Sequence, residues 1–250
     1  MPPLTVTIIT RNESANIAAA LESVSFADEI LVVDAGSDDD TVAVARRFTG
    51  RVVEREWPGY VAQKNFAADE ACHDWILSLD ADERVTPALA GEIGRVLAAT
   101  PGEAGFRVPR VSFYLGRWLR STDWYPDLQL RLYDRRRARW EGRHVHESVR
   151  ADGTVGRLRG ELQHYPYRDI AHHVQTIDRY TTLAARQSAE RGRHASVADL
   201  LVRPPLAFAR NYLLRLGIRD GQAGLVVSLL NSYYVFLKFA KLWELQRRSR

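Results

Sequence analysis

Over the first hundred residues one cycle recurs four times: a short aliphatic or β-branched run, then a stretch with helical character. LTVTIIT (4–10) precedes SANIAAALESV (14–24), EILVVDA (29–35) precedes TVAVARRF (41–48), and RVVERE (51–56) precedes VAQKNFAADEA (61–71). WILSLDAD (75–82) then precedes a helical segment at 87–99. Antiparallel strands can be joined by tight turns, whereas parallel strands need a crossover, most often a helix. The alternation therefore predicts βαβ units and an α/β fold on a mostly parallel sheet. In such sheets ligands bind outside the carboxyl ends of the strands. Thr10, Asp34 and Asp80 each stand at such an end, which makes one sheet edge the expected site.

The later chain is less regular. GFRVPRVSFYLGRWL (105–119) reads as strand and loop, and 127–150 alternates like strands broken by a turn. From about 170 the pattern is helical, with breaks at Pro204–Pro205 and at DGQAG (220–224). The 250 residues carry a net charge of +4, unevenly spread. Residues 201–250 hold nine Lys or Arg and two Asp or Glu, a balance of +7, so the first 200 sum to −3. A basic tail admits a nucleic-acid or an anionic-membrane partner. Interleaved aromatics such as Tyr212, Tyr233, Phe236 and Trp243 favour the membrane over a polar nucleic-acid groove. GLVVSLLNSYYVFLKFAKLWE (224–244) is interrupted by Asn231, Ser232, Lys238 and Lys241, so an interfacial helix is expected there and not a spanning one. The single cysteine, Cys72, cannot form an intramolecular disulfide. The opening MPPLTVTIITRNES lacks a signal-peptide pattern, and a protein of the cytoplasmic side is expected.

Within ILSLDADER (76–84), an apolar strand runs into two aspartates. On a strand, Asp80 and Asp82 project to one side with Ala81 on the other. Two carboxylates on one side repel each other unless a cation lies beside them, and Mg²⁺ that also holds substrate phosphates meets that need. A solvated acidic turn is the plain alternative. In VVDAGSDDDT (32–41), Asp34 ends a strand, Gly36 permits a tight turn, and Ser37 to Thr41 offer caps for the next helix. No G-x-G-x-x-G and no Walker A pattern is present, so neither NAD nor a P-loop nucleotide is indicated. In HVHE (144–147), His144 and His146 could share one strand face as metal ligands with His164, His172 or His173, the pattern of a metallohydrolase. RLYDRRRAR (131–139) reads as a solvated loop or as one that contacts an anionic acceptor.

In this order and spacing, TRNES (10–14), VVDAGSDDDT (32–41), QKNFA (63–67) and LDADE (79–83) resemble glycosyltransferase family 2, whose members carry a GT-A nucleotide-sugar domain. With WEGRHVHE (140–147) and the tail, the chain is similar to the lipopolysaccharide inner-core β-1,4-glucosyltransferase branch of that family. The resemblance implies a GT-A domain over 1–165 and a helical, membrane-associating region over 166–250. It implies that Thr10, Glu13 and Asp34 line the nucleotide pocket and that Lys64 lies near the nucleotide or diphosphate. Asp80 would contact ribose or metal, and Asp82 would ligate a divalent metal, Mg²⁺ or Mn²⁺. The family is inverting, which calls for one general base beside the acceptor hydroxyl. Many members have an acidic residue of a Glu-Asp pair at that point. This sequence has His146-Glu147, so Glu147 is the expected base, with His146 orienting or replacing it. The implied activity is transfer of a hexose, glucose, from a UDP-sugar to a cell-envelope glycolipid such as the lipopolysaccharide inner core. It would take place at the inner face of the cytoplasmic membrane, with the enzyme bound peripherally. Transfer to a polyprenyl phosphate is the alternative, and a non-catalytic, membrane-anchored nucleotide-sugar-binding module is the reading outside enzymes.

Overall fold

The computed structural model of the chain describes residues 2–142 and 147–248. In chain order its first elements are β1 (Leu4–Thr10), α1 (Ile17–Glu22), β2 (Glu29–Asp34), α2 (Thr41–Ala45), β3 (Val52–Glu54), α3 (Tyr60–Glu70) and β4 (Trp75–Asp80). β1 pairs in parallel with both β2 and β4, and β3 extends the row beside β2. This is the strand–helix alternation read from the sequence. All seven residues of β1 are buried, three threonines among them, as expected of a central parallel strand covered on both faces.

The next elements are β5 (Glu83–Val85), α4 (Pro87–Ala98), β6 (Gly105–Tyr114), β7 (Arg117–Leu119), β8 (Asp127–Asp134), β9 (Ala138–Glu141), β10 (Ser148–Ala151), β11 (Val155–Arg157) and β12 (Leu162–His164). They complete a mostly parallel mixed sheet in the order β3-β2-β1-β4-β8-β6-β12-β5, and β9 and β10 form a separate antiparallel pair. β8 runs antiparallel to β4, and β6 antiparallel to β8. The β6–β8 register slips by one residue, since Phe106 faces Leu132 whereas Arg107 faces Leu130. Arg131 is the extra residue of that β-bulge. Bulges re-aim a side chain and concentrate beside active sites.

The chain divides into two compact units: Met1–Arg110 with Asp127–His164, and Val111–Pro126 with Tyr165–Arg250. In the first, Leu89, Ile93 and Leu97 of α4 fall on one helix face, and they pack with Ile17 and Leu21 of α1 against Val6, Ile8, Leu77 and Leu79. α4 is well started, with Pro87 in its first turn and Thr86 Oγ1 accepting from Leu89 N. The opposite sheet face packs against α3 through Ala67 and Ala68, with Leu31, Val33 and Ile76.

The second unit is mainly helical: α5 (Ile170–Glu190), α6 (Val197–Leu201), α7 (Arg203–Ala209) and α8 (Gly221–Arg248). Its breaks fall where the sequence placed them, with Pro204 and Pro205 in the first turn of α7 and Gly221 at φ 58° opening α8. Between α7 and α8 come a π-turn (Arg210–Leu214) and a 3₁₀ turn (Gly217–Asp220). α5 and α8 pack through Ala185, Phe239 and Leu242, and Lys241 Nζ lies 2.7 Å from Asp178 Oδ1. α8 lies in the one stretch among the described residues that is long and apolar enough to cross a membrane.

Two sequence expectations need correction. The fourth strand ends at Asp80, and Asp82 lies in the turn that follows, so strand alternation does not align the two carboxylates. Of Ser37 to Asp40, Asp39 does meet the start of α2, its Oδ1 accepting from Thr41 N at 2.9 Å, but the N-cap Asp40 makes no side-chain cap bond. Otherwise 37–41 is sewn to 12–14. Asn12 N donates to Ser37 Oγ at 2.8 Å, Glu13 N to Thr41 Oγ1 at 2.8 Å, Ser14 N to Asp39 Oδ2 at 3.1 Å, and Asp38 N to Asn12 Oδ1 at 3.0 Å. Asn12 stands at φ 56°, a left-handed conformation that asparagine tolerates better than most residues.

In the second unit His173 is buried, with Nδ1 3.0 Å from Tyr114 Oη and its ring stacked on Tyr167 at 4.0 Å. Burial first, and the neighbouring His172 second, push its pKa down to about 4. As pH falls through about 6.5 the unfolded chain takes up a proton that the folded one refuses until about pH 4. His173 thus contributes stability above that window which is lost within it. Urea titrations across this range will show His173→Phe losing less stability on acidification than wild type; equal losses would refute this account.

Candidate active site

The strand ends converge as the sequence predicted. Thr10 is the register partner of Asp34, and Ile9 that of Asp80, so the three residues close one edge of the parallel row. Thr10 is buried, and its Oγ1 has no hydrogen-bond partner among the described residues. Asp34 is buried too, and its Oδ2 accepts from Gly36 N at 2.9 Å and from Ser37 N at 2.8 Å. It organises the loop that Gly36, at φ 79°, allows to turn. Glu13 is held nearby in sequence, its Oε2 accepting from Asn16 Nδ2 at 2.8 Å.

Asp80 is gripped by two cations. Its Oδ1 lies 2.9 Å from Lys64 Nζ, and its Oδ2 accepts from Arg131 Nη2 at 2.5 Å. Burial alone would raise its pKa, but Arg131 and then Lys64 hold it well below the ordinary carboxylate range. The same Nη2 reaches Glu83 Oε1 at 2.6 Å. Glu83, fully buried, also accepts from Arg110 Nη1 at 2.9 Å and from Asp80 N at 3.0 Å. Arg110 continues to Asp127 at 2.6 Å. Three acids thus meet three bases in a balanced, partly buried chain. Lys64 Nζ also lies 4.1 Å from the centre of the Trp140 ring, and Asn65 clamps Trp140 at both backbone groups, at 2.9 and 3.0 Å. The QKNFA stretch thereby fixes α3 to β9 while Lys64 reaches Asp80.

Asp82 sits apart from these cations. Its Oδ2 lies 3.4 Å from Nε2 of His164, the last residue of β12, which its pairing with β5 sets opposite Glu83. Glu147 is half-buried just before β10, and its Oε2 is enclosed with no hydrogen-bond partner among the described residues. A buried carboxylate oxygen left without a partner is costly and calls for an explanation, a catalytic role being one. His146 and His144 lie outside the described residues. Of the other candidate histidine ligands, His172 and His173 belong to α5 in the second unit. Among the described residues, no three His, Cys, Asp or Glu side chains gather as a ready-made metal cage.

Sequence reasoning missed Arg131, Arg110, Asp127 and Trp140, and it quoted Glu83 without giving it a part. RLYDRRRAR is not a free loop. Arg131 is buried, Arg135 Nη1 donates to the carbonyls of Ala68 and Ala71 near the end of α3, and Arg136 pairs with Asp134 at 2.7 Å.

Residues 5–152 match the sequence profile of glycosyl transferase family 2. The chain belongs to that family. It is 31% identical, over 97% of its length and 92% of the relative's, to the lipopolysaccharide core biosynthesis glycosyltransferase LpsC of Rhizobium meliloti (strain 1021). It is 30% identical, over all of its length and 90% of the relative's, to an uncharacterised glycosyltransferase of Rickettsia typhi (strain ATCC VR-144 / Wilmington). Among solved structures, a mannosyltransferase from Pyrobaculum calidifontis in complex with GDP-Man and Mn²⁺ aligns over 97% of this chain and 88% of that one, with a TM-score of 0.56 and 16% identity. The fold of this family 2 member is GT-A, with a C-terminal helix.

The Asp80 clamp gives a direct prediction. Removing one partner of a buried ion pair strands the other, at a cost of about 3–5 kcal/mol. Arg131→Met should destabilise the enzyme by about that much, and Arg131→Lys by less. Urea unfolding in a double-mutant cycle with Asp80→Asn should return a coupling of about 2 kcal/mol or more. Additive effects of the two substitutions would show that the pair is not energetically joined.

Proposed function

We propose that this glycosyltransferase moves glucose, with inversion, from UDP-glucose to a cell-envelope glycolipid of the lipopolysaccharide core type. The observation that carries the proposal is the unequal treatment of the two aspartates at the end of β4: Asp80 neutralised by Lys64 and Arg131, Asp82 beside an imidazole. The similarity to LpsC, a core biosynthesis enzyme by name, supports the acceptor class.

The donor set fits a divalent cation. The Asp82 carboxylate, partly open to solvent, leaves further positions for diphosphate oxygens, an oxygen set that Mn²⁺ or Mg²⁺ accepts. Asp82, with His164 beside it, would hold that cation, which supplies charge neutralisation to the departing diphosphate. Lys64 presents its ammonium near the diphosphate. Thr10, Glu13 and Asp34 line the nucleoside end, where the stitched 12–14 and 37–41 loops give a rigid wall.

Glu147 takes the proton of the acceptor hydroxyl, and the freed oxygen attacks the anomeric carbon from the face opposite the leaving group. The carbon–oxygen bond to the diphosphate breaks with its electron pair leaving on UDP, and the configuration inverts. A carboxylate oxygen with no partner among the described residues supports that task, and His146 is next to it in sequence. The second unit keeps the enzyme peripherally on the cytoplasmic face of the membrane, where a soluble donor meets a bilayer-bound acceptor.

Calorimetry of UDP binding with and without Mn²⁺, beside turnover of UDP-glucose on core glycolipid, separates the parts. Asp82→Asn should abolish the Mn²⁺-linked share of UDP affinity, and chelator should do the same to wild type. Glu147→Gln should keep UDP binding and lower turnover by about 10²-fold or more. UDP affinity and turnover unchanged by chelator would overturn the metal assignment, and near-normal turnover of Glu147→Gln would overturn the base.

A further inference from the structure

We propose that the outer face of residues 197–218 is the surface by which this enzyme lies on an anionic lipid bilayer, and that α8 does not cross the bilayer. The inference rests on the peripheral placement proposed above and assigns it to a particular element. Eight large apolar side chains of this stretch are exposed, and six of them by more than half: Val197 (70% exposed), Leu201 (69%), Leu206 (62%), Leu213 (56%), Leu214 (79%) and Ile218 (54%). Single exposed aliphatics are ordinary, but so many within 22 residues are what an interaction surface would supply.

The exposure is built in, because the inner side of the same segment is locked. Pro204 is buried, and its carbonyl accepts from Ser232 Oγ of α8 at 2.8 Å. Asn211 is buried and accepts from Asp123 N at 2.9 Å. At the crossing with α8, a Cβ on Gly224 would come within 1.9 Å of the Gly217 carbonyl oxygen, so the two backbones touch where only glycine fits. A segment pinned this closely cannot roll its leucines inward. The π-turn over Arg210–Leu214 and the left-handed Leu216 (φ 57°) are unfavourable local conformations, and both lie within the stretch that displays the leucines.

Charge selects the occupant. Arg203, Arg210, Arg215 and Arg219 alternate with these leucines, the pattern of an interfacial element whose apolar side chains enter the headgroup boundary while its cations meet anionic lipid. Arg203 pairs with Asp199, and Arg210 and Arg215 reach Asp123, but all three keep more than half of their side chains in solvent. α8 also shows apolar side chains, Leu229 (52%) and Phe236 (43%) among them, but one side of it is committed to the protein. Phe239 and Leu242 are buried against Ala185 of α5, and Lys241 is bonded to the Asp178 carbonyl and carboxylate and to Thr181 and Thr182. Crossing the bilayer would carry the charged α5 with it or strand Lys241 in hydrocarbon.

The test uses the full-length enzyme with vesicles of phosphatidylglycerol and phosphatidylcholine, in co-sedimentation at low and high salt. Wild type should bind anionic vesicles, bind neutral ones weakly, and lose affinity with salt. The triple variant Leu206→Gln, Leu213→Gln, Leu214→Gln should lose at least about tenfold in partitioning, while keeping its melting temperature and its Mn²⁺-dependent UDP binding. A second variant, Leu229→Gln with Phe236→Gln on the exposed side of α8, should bind as wild type, and Leu214→Trp should blue-shift its fluorescence on anionic vesicles. Vesicle binding unchanged in the triple variant, or lost only in the α8 variant, would overturn the proposal. So would a wild-type dimer that the triple variant abolishes, or resistance of the membrane-bound enzyme to alkaline carbonate extraction. Failure of UDP binding in wild type would instead count against the proposed activity and leave the docking result to stand by itself.

Discussion

A carboxylate taken out of water costs several kcal/mol unless its charge is met, and Asp80 is met on both oxygens. That requirement shapes much of the first unit. Lys64 comes from α3, Asp80 from β4, Glu83 from β5, Arg110 from β6, and Asp127 and Arg131 from β8. One chain of ion pairs therefore fastens a helix to four strands at the place where the sheet changes from parallel to antiparallel. The bulge in β8 belongs to the same solution. With regular pairing, Arg131 would alternate with its neighbours, but the extra residue frees it to aim at Asp80 and Glu83 while Leu130 and Leu132 keep to opposite cores.

The part of this arrangement legible in the sequence is the part that depends on period. The β1–β4 strands follow aliphatic runs separated by helices, so their parallel pairing and their shared edge could be read directly, and with them Thr10, Asp34 and Asp80. The antiparallel half could not. β5, β7, β11 and β12 are three residues long, too short to carry a pattern, and His164 reaches Asp82 only because β12 pairs with β5. Arg131 was hidden for another reason. In RLYDRRRAR it is one arginine among five, and composition alone makes such a run look solvated. Its burial comes from a one-residue slip in register, which no local signal announces. The loop 37–41 shows the converse failure: its Ser, Asp and Thr residues have the composition of a helix cap, yet only Asp39 meets α2, through Thr41 N, while Ser37, Asp38, Asp39 and Thr41 also bond the TRNES turn.

The tail shows the same limit on a larger scale. Basic and aromatic residues in 201–250 pointed to a membrane surface, and α8 drew attention as the longest apolar segment. The structure shows α8 turning one side to α5, with its lysine 241 satisfied there, so that length and hydropathy describe a helix partly committed to a protein core. The most exposed leucines lie instead in the shorter α6–α7 region and the turns after it, where helical periodicity is broken. A close glycine crossing, which sequence shows only as two isolated glycines, decides which side of that region faces out.

The division of labour between Asp80 and Asp82 has a consequence for the charge balance of the proposed site. The ion-pair chain from Lys64 to Asp127 is neutral as a whole, three cations against three anions, so it holds little surplus positive charge for a free diphosphate. Asp82 adds a negative charge beside it, with an imidazole as companion. A bare nucleoside diphosphate would thus approach a neutral-to-acidic edge, whereas the same diphosphate with a divalent cation brings the charge that Asp82 lacks. The two carboxylates avoid mutual repulsion because protein cations compensate the first and leave the second free. On the proposed reading, this makes the site selective for the metal-bound donor: Asp80 keeps Lys64 and Arg131 in place before the donor arrives, and Asp82 gains its counter-charge only with it.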